Sequence, residues 1–500
     1  MISLDGFRAD FLNRGLTPTL NSFIAGGVSP RYMTPSFPSV TFPNHFTMVT
    51  GLYPESHGIV ANDFWAPDLQ DYFAVEPDIV TQAKWWMAEP IWNTAEKQGI
   101  RSAIHMWPGS EAPIGNMEPS FWDRYNGSEL LSRKVDRVLE FLDLPGEESE
   151  HDPALRPQFI AAYVPNVDSA GHLYGPNSTE IRDVIAKVDD MLANLLQELE
   201  ARNLTDIVNI VVVSDHGMAT TSYKRTVQLE DLVDLDLVEY IDGWPLRGLR
   251  PKRPEDLETL IGQLTERAKT YSDGVEWYTR ETMPARYHFA NNDRIAPLWV
   301  IPKTGWAIVE RPAFDVKEAL EKEIVYHPRG IHGYDNEHPL MRAIFIARGP
   351  AFPHPPNSRL ENFRKSYACD HLDYSPNVSL ENVEVYNLIC DSIGVSPLPN
   401  NGTLRLPLTP IGLHNDEDAP VPESPADPPF QENPPPRPSA TLSTSPTPPT
   451  GSPAPSAGDG TEGSETEPQS WWDKVKETLS SFKDWASQLF QSKQDNRPPS

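Results

Sequence analysis

Apolar positions along this chain follow two rhythms. Short continuous runs at residues 159–164, 207–214 and 342–347 are rich in Val, Ile, Phe and Ala, as in strands buried on both faces. Between them lie stretches with a 3.6-residue period. In residues 179–202, Ile181, Ile185, Val188, Leu192, Leu195 and Leu199 share one face, which predicts a long amphipathic helix. Residues 1–5 read as a first strand, and residues 44–50, closed by Gly51, as a helix. Strands alternating with helices predict an α/β fold with a mainly parallel central sheet flanked by helices. Residues 1–405 read as one folded unit, and the weaker pattern over about 228–309 predicts a smaller inserted lobe.

Beyond 405 the pattern changes. Residues 406–468 are Pro, Ser, Thr and acid, too poor in apolar surface to fold, and read as a disordered tail. Residues 469–493 regain a helical period, with Trp472, Val475, Leu479, Phe482, Ala486 and Leu489 on one face. That amphipathic helix docks back on the core, frays in solution, or contacts a membrane surface or a partner protein. Residues 494–500 read as disordered.

Composition narrows the partners. A formal charge of -29 argues against a nucleic-acid groove. It leaves a small anionic substrate open, because bound cations invert the local potential. The two cysteines, Cys369 and Cys390, are either buried thiols or a disulfide. Five Asn-x-Ser/Thr sequons, at Asn126, Asn177, Asn203, Asn377 and Asn401, tilt the balance towards the secretory pathway and a disulfide. No signal peptide or run of about 20 apolar residues is visible. Met1 falls almost on the first strand, so the targeting segment is expected to be missing from this sequence. The protein would then be membrane-anchored, secreted or vacuolar.

Seven side chains carry the candidate chemistry: Asp5, Thr41, Asp168, His172, Asp215, His216 and His332. Most follow a strand candidate directly, at the carboxyl end where open parallel sheets bind ligands. Asp168-Ser169-Ala170-Gly171-His172 would converge on one ion if Gly171 made a tight turn. Asp215-His216-Gly217 would converge if Gly217 turned the chain. Ile331-His332-Gly333 repeats the His-Gly arrangement. Each motif alone is weak, but the set is hard to explain as packing. Carboxylates and imidazoles suit two zinc ions, and a zinc-activated hydroxyl is a nucleophile at neutral pH. Thr41 is that nucleophile, or an ordinary cap of the helix that follows it.

Six segments now bring a family into view. Ser3-Leu4-Asp5-Gly6-Phe7-Arg8, Thr41-Phe42-Pro43-Asn44-His45, Thr50-Gly51-Leu52-Tyr53-Pro54-Glu55-Ser56-His57-Gly58-Ile59, Glu89-Pro90-Ile91-Trp92, Ser214-Asp215-His216-Gly217-Met218 and Glu384-Val385-Tyr386-Asn387-Leu388 resemble the nucleotide pyrophosphatase/phosphodiesterase family. The resemblance runs over about residues 1–403, to a fungal-type member, and implies the alkaline-phosphatase-like fold. It implies one zinc on Asp168, His172 and His332, and a second on Asp5, Asp215, His216 and the Thr41 oxygen. Asn62 matches an asparagine that contacts a phosphate oxygen, while Phe42 and Tyr125 match an aromatic pair that sandwiches a base. The implied reaction forms a phosphothreonyl intermediate and releases a nucleoside monophosphate and pyrophosphate from a nucleoside triphosphate.

The resemblance also implies a substrate class: the lipid-acting branch of the family lacks the loop after Trp107-Pro108-Gly109-Ser110, and its presence here implies nucleotides over lysophospholipids. Where vertebrate members carry lysines near the phosphate chain, this sequence has Val40, Asp63 and Met87, and Asp63 is expected to repel a polyphosphate. Two rival readings remain: a phospholipid-directed phosphodiesterase of the same superfamily, and a non-catalytic binding protein.

Overall fold

Six short strands form the central sheet of the computed structural model, which describes residues 1–147, 155–353, 359–360, 380–408, 413–414 and 425–427. They are β1 (Ile2–Leu4), β2 (Ser102–His105), β3 (Phe121–Asp123), β4 (Phe159–Val164), β5 (Ile210–Val213) and β6 (Phe345–Arg348). The order across the sheet is β6-β5-β1-β4-β2-β3. All neighbours are parallel except the edge strand β6, which runs antiparallel to β5. β1 has only three residues but lies mid-sheet, with Ile2 registered against Ala162 on one side and Val212 on the other. Hydrogen bonding along both edges lets so short a strand hold its place.

The helices that matter for the site are α1 (Pro18–Ala25), α2 (Thr41–Thr50), α3 (Leu131–Leu142), α4 (Asn166–Tyr174), α5 (Thr179–Ala201) and α6 (Glu384–Ser392). β5 shows how both faces of the sheet are covered. Ile210 and Val212 turn towards Leu20 and Phe23 of α1 and Leu192 and Leu195 of α5. Val211 and Val213 join the core that contains Phe46 and Val49 of α2 and Val385 and Leu388 of α6. The period-2 alternation of a strand is thus matched by helices on each side. α5 starts one residue after its cap, Ser178, whose hydroxyl accepts from the Ile181 N–H at 3.1 Å.

The expected inserted lobe appears as a four-stranded antiparallel sheet. Its strands are Val238–Asp242, Arg247–Pro251, Leu298–Pro302 and Val275–Thr279, in that spatial order, beside the helix Asp256–Arg267. Leu249, Leu260, Leu264 and Val300 give it a core of its own.

The expected disordered tail needs correcting at two points. Leu413–His414 pairs antiparallel with Arg359–Leu360, and Asp427 is bonded to the folded body. One Asp427 oxygen accepts from Arg8 Nη1 at 2.7 Å and Asn177 Nδ2 at 2.9 Å; the other accepts from the Thr220 N–H at 3.0 Å. The cause is electrostatic. Arg8 is only 1% exposed, and a buried guanidinium needs anionic partners, of which Asp10 alone is local. Residues 409–412, 415–424 and 428–468 of the expected tail, the 469–493 helix and residues 494–500 lie outside the described residues.

His57 is a second buried polar group with a consequence for stability. Its Nδ1 accepts from the Ile59 N–H at 3.2 Å, and its Nε2 pairs with Thr47 Oγ1 of α2 at 3.0 Å. Burial lowers its pKa to about 3.

Asp427→Ala is expected to cost about 1–3 kcal/mol, the worth of hydrogen bonds to a buried charge; an unchanged urea midpoint in the full chain would refute this. For His57 the folded pKa lies below the unfolded value of about 6.5, so its stabilising share is complete above 6.5. It is lost as pH falls towards 3, at about 1.4 kcal/mol per pH unit. Thermal unfolding of His57→Gln should therefore show a shallower acid slope than the unmodified chain. Parallel slopes would refute the assignment.

Candidate metal centre and active site

Backbone hydrogen bonds tie the ligand-bearing strand ends together before any side chain is considered. The Asp5 N–H donates to Val164 O at 3.0 Å, the Asp168 N–H to Asp5 O at 3.0 Å, and the Gly6 N–H to Asp215 Oδ1 at 3.1 Å. Gly6 is required here on two counts. Its φ is +66°, and a Cβ would lie 2.8 Å from Asp168 Cα. The ends of β1, β4 and β5 therefore meet with no side chain between them.

Two local expectations change. Asp168 and His172 lie on α4, not on a tight turn; helical i, i+4 spacing aligns them, with His172 Nε2 3.4 Å from Asp168 Oδ1. Gly217 is needed for space and not for a turn, because a Cβ there would fall 2.1 Å from Leu340 O. His332 is positioned by a two-residue ladder, Gly330–Ile331 against Ala219–Thr220, which brings it beside the His216 segment. The His216 and His332 rings stack with centroids 3.5 Å apart.

The three imidazoles share one arrangement. Nδ1 of His172 bonds Gly330 O at 2.7 Å, Nδ1 of His216 bonds Gly217 O at 2.9 Å, and Nδ1 of His332 bonds Ser39 O at 2.9 Å. A carbonyl only accepts, so each Nδ1 carries the proton and each Nε2 presents a lone pair. That is how proteins orient histidine as a metal ligand. Nε2 of His172 and Nε2 of His332 then face each other at 3.2 Å, and Asp168 Oδ1 is 3.4 Å from both. Lone pairs so close call for a cation among them.

The carboxylates give the same signal. Asp5 Oδ1, Asp168 Oδ1 and Asp215 Oδ2 are buried oxygens with no hydrogen-bond donor. Burial raises the pKa of Asp5, and the charges of Asp215 and Asp168 raise it further. Burial also raises Asp168. Three overlapping donor groups result: Asp168, His172 and His332; Asp5, Asp168 and His216; and Asp5, Asp215 and His45, with His216 Nε2 also 3.0 Å from Asp215 Oδ2. Their mixed oxygen and nitrogen donors fit divalent ions of the zinc class.

Thr41 opens α2, with extended Val40 before it and no side-chain cap. The helix begins three residues earlier than expected, and Thr41 is its first residue, not its cap. Its Oγ1 is 3.3 Å from His216 Nε2, at the metal-facing nitrogen. Asn62 Oδ1 accepts from the Phe42 N–H at 3.0 Å, which orients the amide next to the start of α2. Phe42 is half-buried near Phe73 and Trp86. Tyr125 is 52% exposed, so core packing does not account for it; its ring lies 6.2 Å from that of Tyr163.

Two residues of the site went unread in the sequence. Tyr163 donates its hydroxyl to Asp5 Oδ2 from the middle sheet. His45, one turn along α2 from Thr41, has Nδ1 2.9 Å from Thr41 O and 3.3 Å from Asp215 Oδ2, and Nε2 2.8 Å from Ser3 Oγ. Both its nitrogens have protein partners, so it braces α2 against β1 and Asp215. Only the position of His45 inside the Thr41 motif hinted at a role.

Asp63 does not face substrate as expected. It is buried and accepts from the Tyr72 hydroxyl at 2.9 Å, and Val40 is buried as well, whereas Met87 is exposed. Among the sequons, Asn126, Asn177, Asn203 and Asn401 are exposed, although Asn177 is engaged with Asp427 and Arg14. Asn377 lies outside the described residues. Cys390 is a buried free thiol on α6, and Cys369, its expected partner, lies outside the described residues.

Comparison with known proteins agrees with this geometry. Residues 1–335 match the family model described as type I phosphodiesterase / nucleotide pyrophosphatase. An uncharacterized pyrophosphatase/phosphodiesterase of Schizosaccharomyces pombe is 41% identical over 82% of this chain and 79% of its own length. Human ectonucleotide pyrophosphatase/phosphodiesterase family member 1 is 35% identical over 81% of this chain, but the match spans only 40% of the human protein. Venom phosphodiesterase 2 of Crotalus adamanteus is also 35% identical, over 46% of its length. A solved murine ectonucleotide pyrophosphatase / phosphodiesterase 5, an inactive Thr-to-Ala variant in complex with AMP, superposes with a TM-score of 0.67. It is 30% identical, over 82% of this chain and 98% of that one. The names of these relatives fit the secretory pathway, and no helix among the described residues is long and apolar enough to cross a membrane. The chain belongs to the type I phosphodiesterase/nucleotide pyrophosphatase family, hydrolases that act on phosphodiester and pyrophosphate bonds.

Proposed function

We propose that this chain cleaves nucleotides at the α-phosphate with two zinc ions, releasing a nucleoside monophosphate through a phosphothreonyl intermediate. The observation that carries the reading is the Thr41 hydroxyl, 3.3 Å from the metal-facing nitrogen of His216, at the start of a helix. Asp168, His172 and His332 would hold one ion, and Asp5, Asp215, His216 and the Thr41 oxygen the other. Bound zinc supplies charge neutralisation and eases ionisation of the threonine hydroxyl and of water.

The protein's own groups do the rest. Thr41 Oγ1 attacks phosphorus in line, the bond to the leaving oxygen breaks, and pyrophosphate or an alcohol departs. Water then attacks the phosphothreonine, restoring Thr41 and freeing the monophosphate. α2 points its first N–H groups towards the phosphoryl position, where helix N-termini favour anions. The Asn62 amide donates to a non-bridging oxygen whose charge grows in the transition state. Phe42 and Tyr125 stack on the base, a contact tolerant of base identity. AMP in the murine relative supports a nucleotide substrate.

Asp63, buried against Tyr72, adds no repulsion for a polyphosphate. The exposed sequons support passage through the secretory pathway.

ATP should yield AMP and pyrophosphate, and a chelator should abolish turnover until Zn2+ is restored. Thr41→Ala should lower kcat by about 10^4-fold or more, as loss of a nucleophile does. Release of ADP and free phosphate, or faster cleavage of a choline lysolipid than of ATP, would overturn the assignment.

A further inference from the structure

A second buried charge cluster lies under the loop that carries Tyr125, and the metal centre does not use it. His105, the last residue of β2, is 2% exposed. Its Nδ1 is 2.8 Å from Asp123 Oδ2, and its Nε2 is 2.8 Å from Glu129 Oε2. A carboxylate only accepts, so the ring fills both bonds when each nitrogen bears a proton. Two cations of α3 complete the cluster. Lys134 Nζ reaches Glu129 Oε2 at 3.1 Å, and Arg137 grips Asp123 with Nε at 2.8 Å and Nη2 at 2.9 Å. Burial raises the Asp123 pKa, but the bonds from His105 and Arg137 outweigh it and hold the carboxyl at about 2.

The placement of the two carboxylates gives the cluster its meaning. Asp123 ends β3 in register with His105, and Glu129 begins the approach to α3. Between them the chain leaves the surface for five exposed residues, 124–128, with Tyr125 among them. One buried ring therefore holds both feet of that excursion. Within it, the Asn126 side chain accepts from the Ser128 N–H at 3.1 Å, and the Tyr125 N–H donates to Glu111 Oε1 at 2.9 Å. A phenol ring 52% exposed has little packing to hold it. Its position follows from the backbone, which Glu111 bonds at Tyr125 itself and which His105 holds at both feet through Asp123 and Glu129.

We propose that His105 is a positioning residue for nucleotide recognition: by bridging Asp123 and Glu129 it fixes Tyr125 where the base stacks. The role rests on the proposed base-stacking function of Tyr125 and acts on binding without touching substrate. An ordinary loop staple would affect folding stability alone and would not distinguish substrates by their base.

The test compares the p-nitrophenyl ester of thymidine monophosphate with bis(p-nitrophenyl) phosphate, a diester with no base, on the full chain with zinc. His105→Phe keeps the ring volume and removes both bonds. It should raise KM for the nucleotide ester by about tenfold, the scale of one stacking contact, with kcat and the base-free reaction changed less than about twofold. Glu129→Gln, which weakens one foot only, should move KM the same way by a smaller factor and covers the case in which His105→Phe fails to fold. In a Tyr125→Ala background, either substitution should add less than about twofold, because both act through the same ring. Equal losses on both substrates, no loss, or additive losses in the double variant would overturn the inference. If Tyr125→Ala alone lowers nucleotide preference while His105→Phe does not, only the inference about His105 fails. If Tyr125→Ala leaves that preference unchanged, the base-stacking reading fails and the inference with it.

Discussion

Three carboxylates in one buried space are the constraint around which this molecule is arranged. Donor atoms of Asp5, Asp168 and His216, and of Asp5, Asp215 and His45, lie within 4.8 Å of one another in their groups. At such separations each like-charged pair costs on the order of 3 kcal/mol even at an effective dielectric of about 20. Peripheral hydrogen bonds relieve part of that. Tyr163 serves one oxygen of Asp5, and the Gly6 N–H serves one of Asp215. The other oxygen of each is left without a donor, as is Asp168 Oδ1. The fold thus concentrates negative charge and then withholds the groups that would neutralise it. Divalent cations are the physical answer, and the imidazoles, each pinned at Nδ1, supply the remaining donors.

Holding that arrangement requires the chain to approach itself very closely. β1 has three residues, yet its end carries Asp5; its neighbour β4 leads into α4, which carries Asp168, and its neighbour β5 leads into the segment that carries Asp215. Gly6 and Gly217 lie where backbones come nearest, and each would drive a Cβ into backbone atoms. Arg8 continues the same logic outward. It binds the Met218 carbonyl at 2.7 Å and so ties the segment after Asp5 to the segment after His216. Asp427 reaches it from far along the chain, so a sequence region that looks structureless contributes to the rigidity behind the metal centre.

What the sequence made legible follows from how local each signal is. β4 could be read to the residue because six apolar positions in a row have one explanation at that length. α5 was nearly as clear from its period, ending one residue before the expected Arg202; its cap, Ser178, was not read. The convergence of Asp5, Asp168, His172, Asp215, His216 and His332 was legible because strand ends in a parallel sheet are predictable places, and three of the imidazole or carboxylate motifs stood there in order. The rest depended on contacts that no spacing encodes. His45 meets Asp215 across 170 positions, Tyr163 meets Asp5 across 158, and His105 gathers Asp123 and Glu129 at intervals without a motif. Asp63 was misjudged for the same reason. Its charge was visible, but Tyr72, which keeps it inside the fold, was not visibly its partner.

Chemistry and recognition are built by different means in this molecule. The metal centre is held by strand ends and backbone carbonyls, which side-chain substitutions elsewhere scarcely disturb. The loop that carries Tyr125, the proposed base-stacking residue, is exposed and held by a buried network of ion pairs, which depends on each charge having its counter-charge. Tyr163 is the seam between the two. Its hydroxyl belongs to Asp5, its ring approaches Tyr125 at 6.2 Å, and His45 packs edge-on against it at 5.0 Å. If Tyr125 stacks on the base as proposed, recognition can drift with residues 105–137 while the carboxylate and imidazole cluster stays fixed. A change at Tyr163 would reach both sides, because its hydroxyl bonds Asp5 and its ring approaches Tyr125.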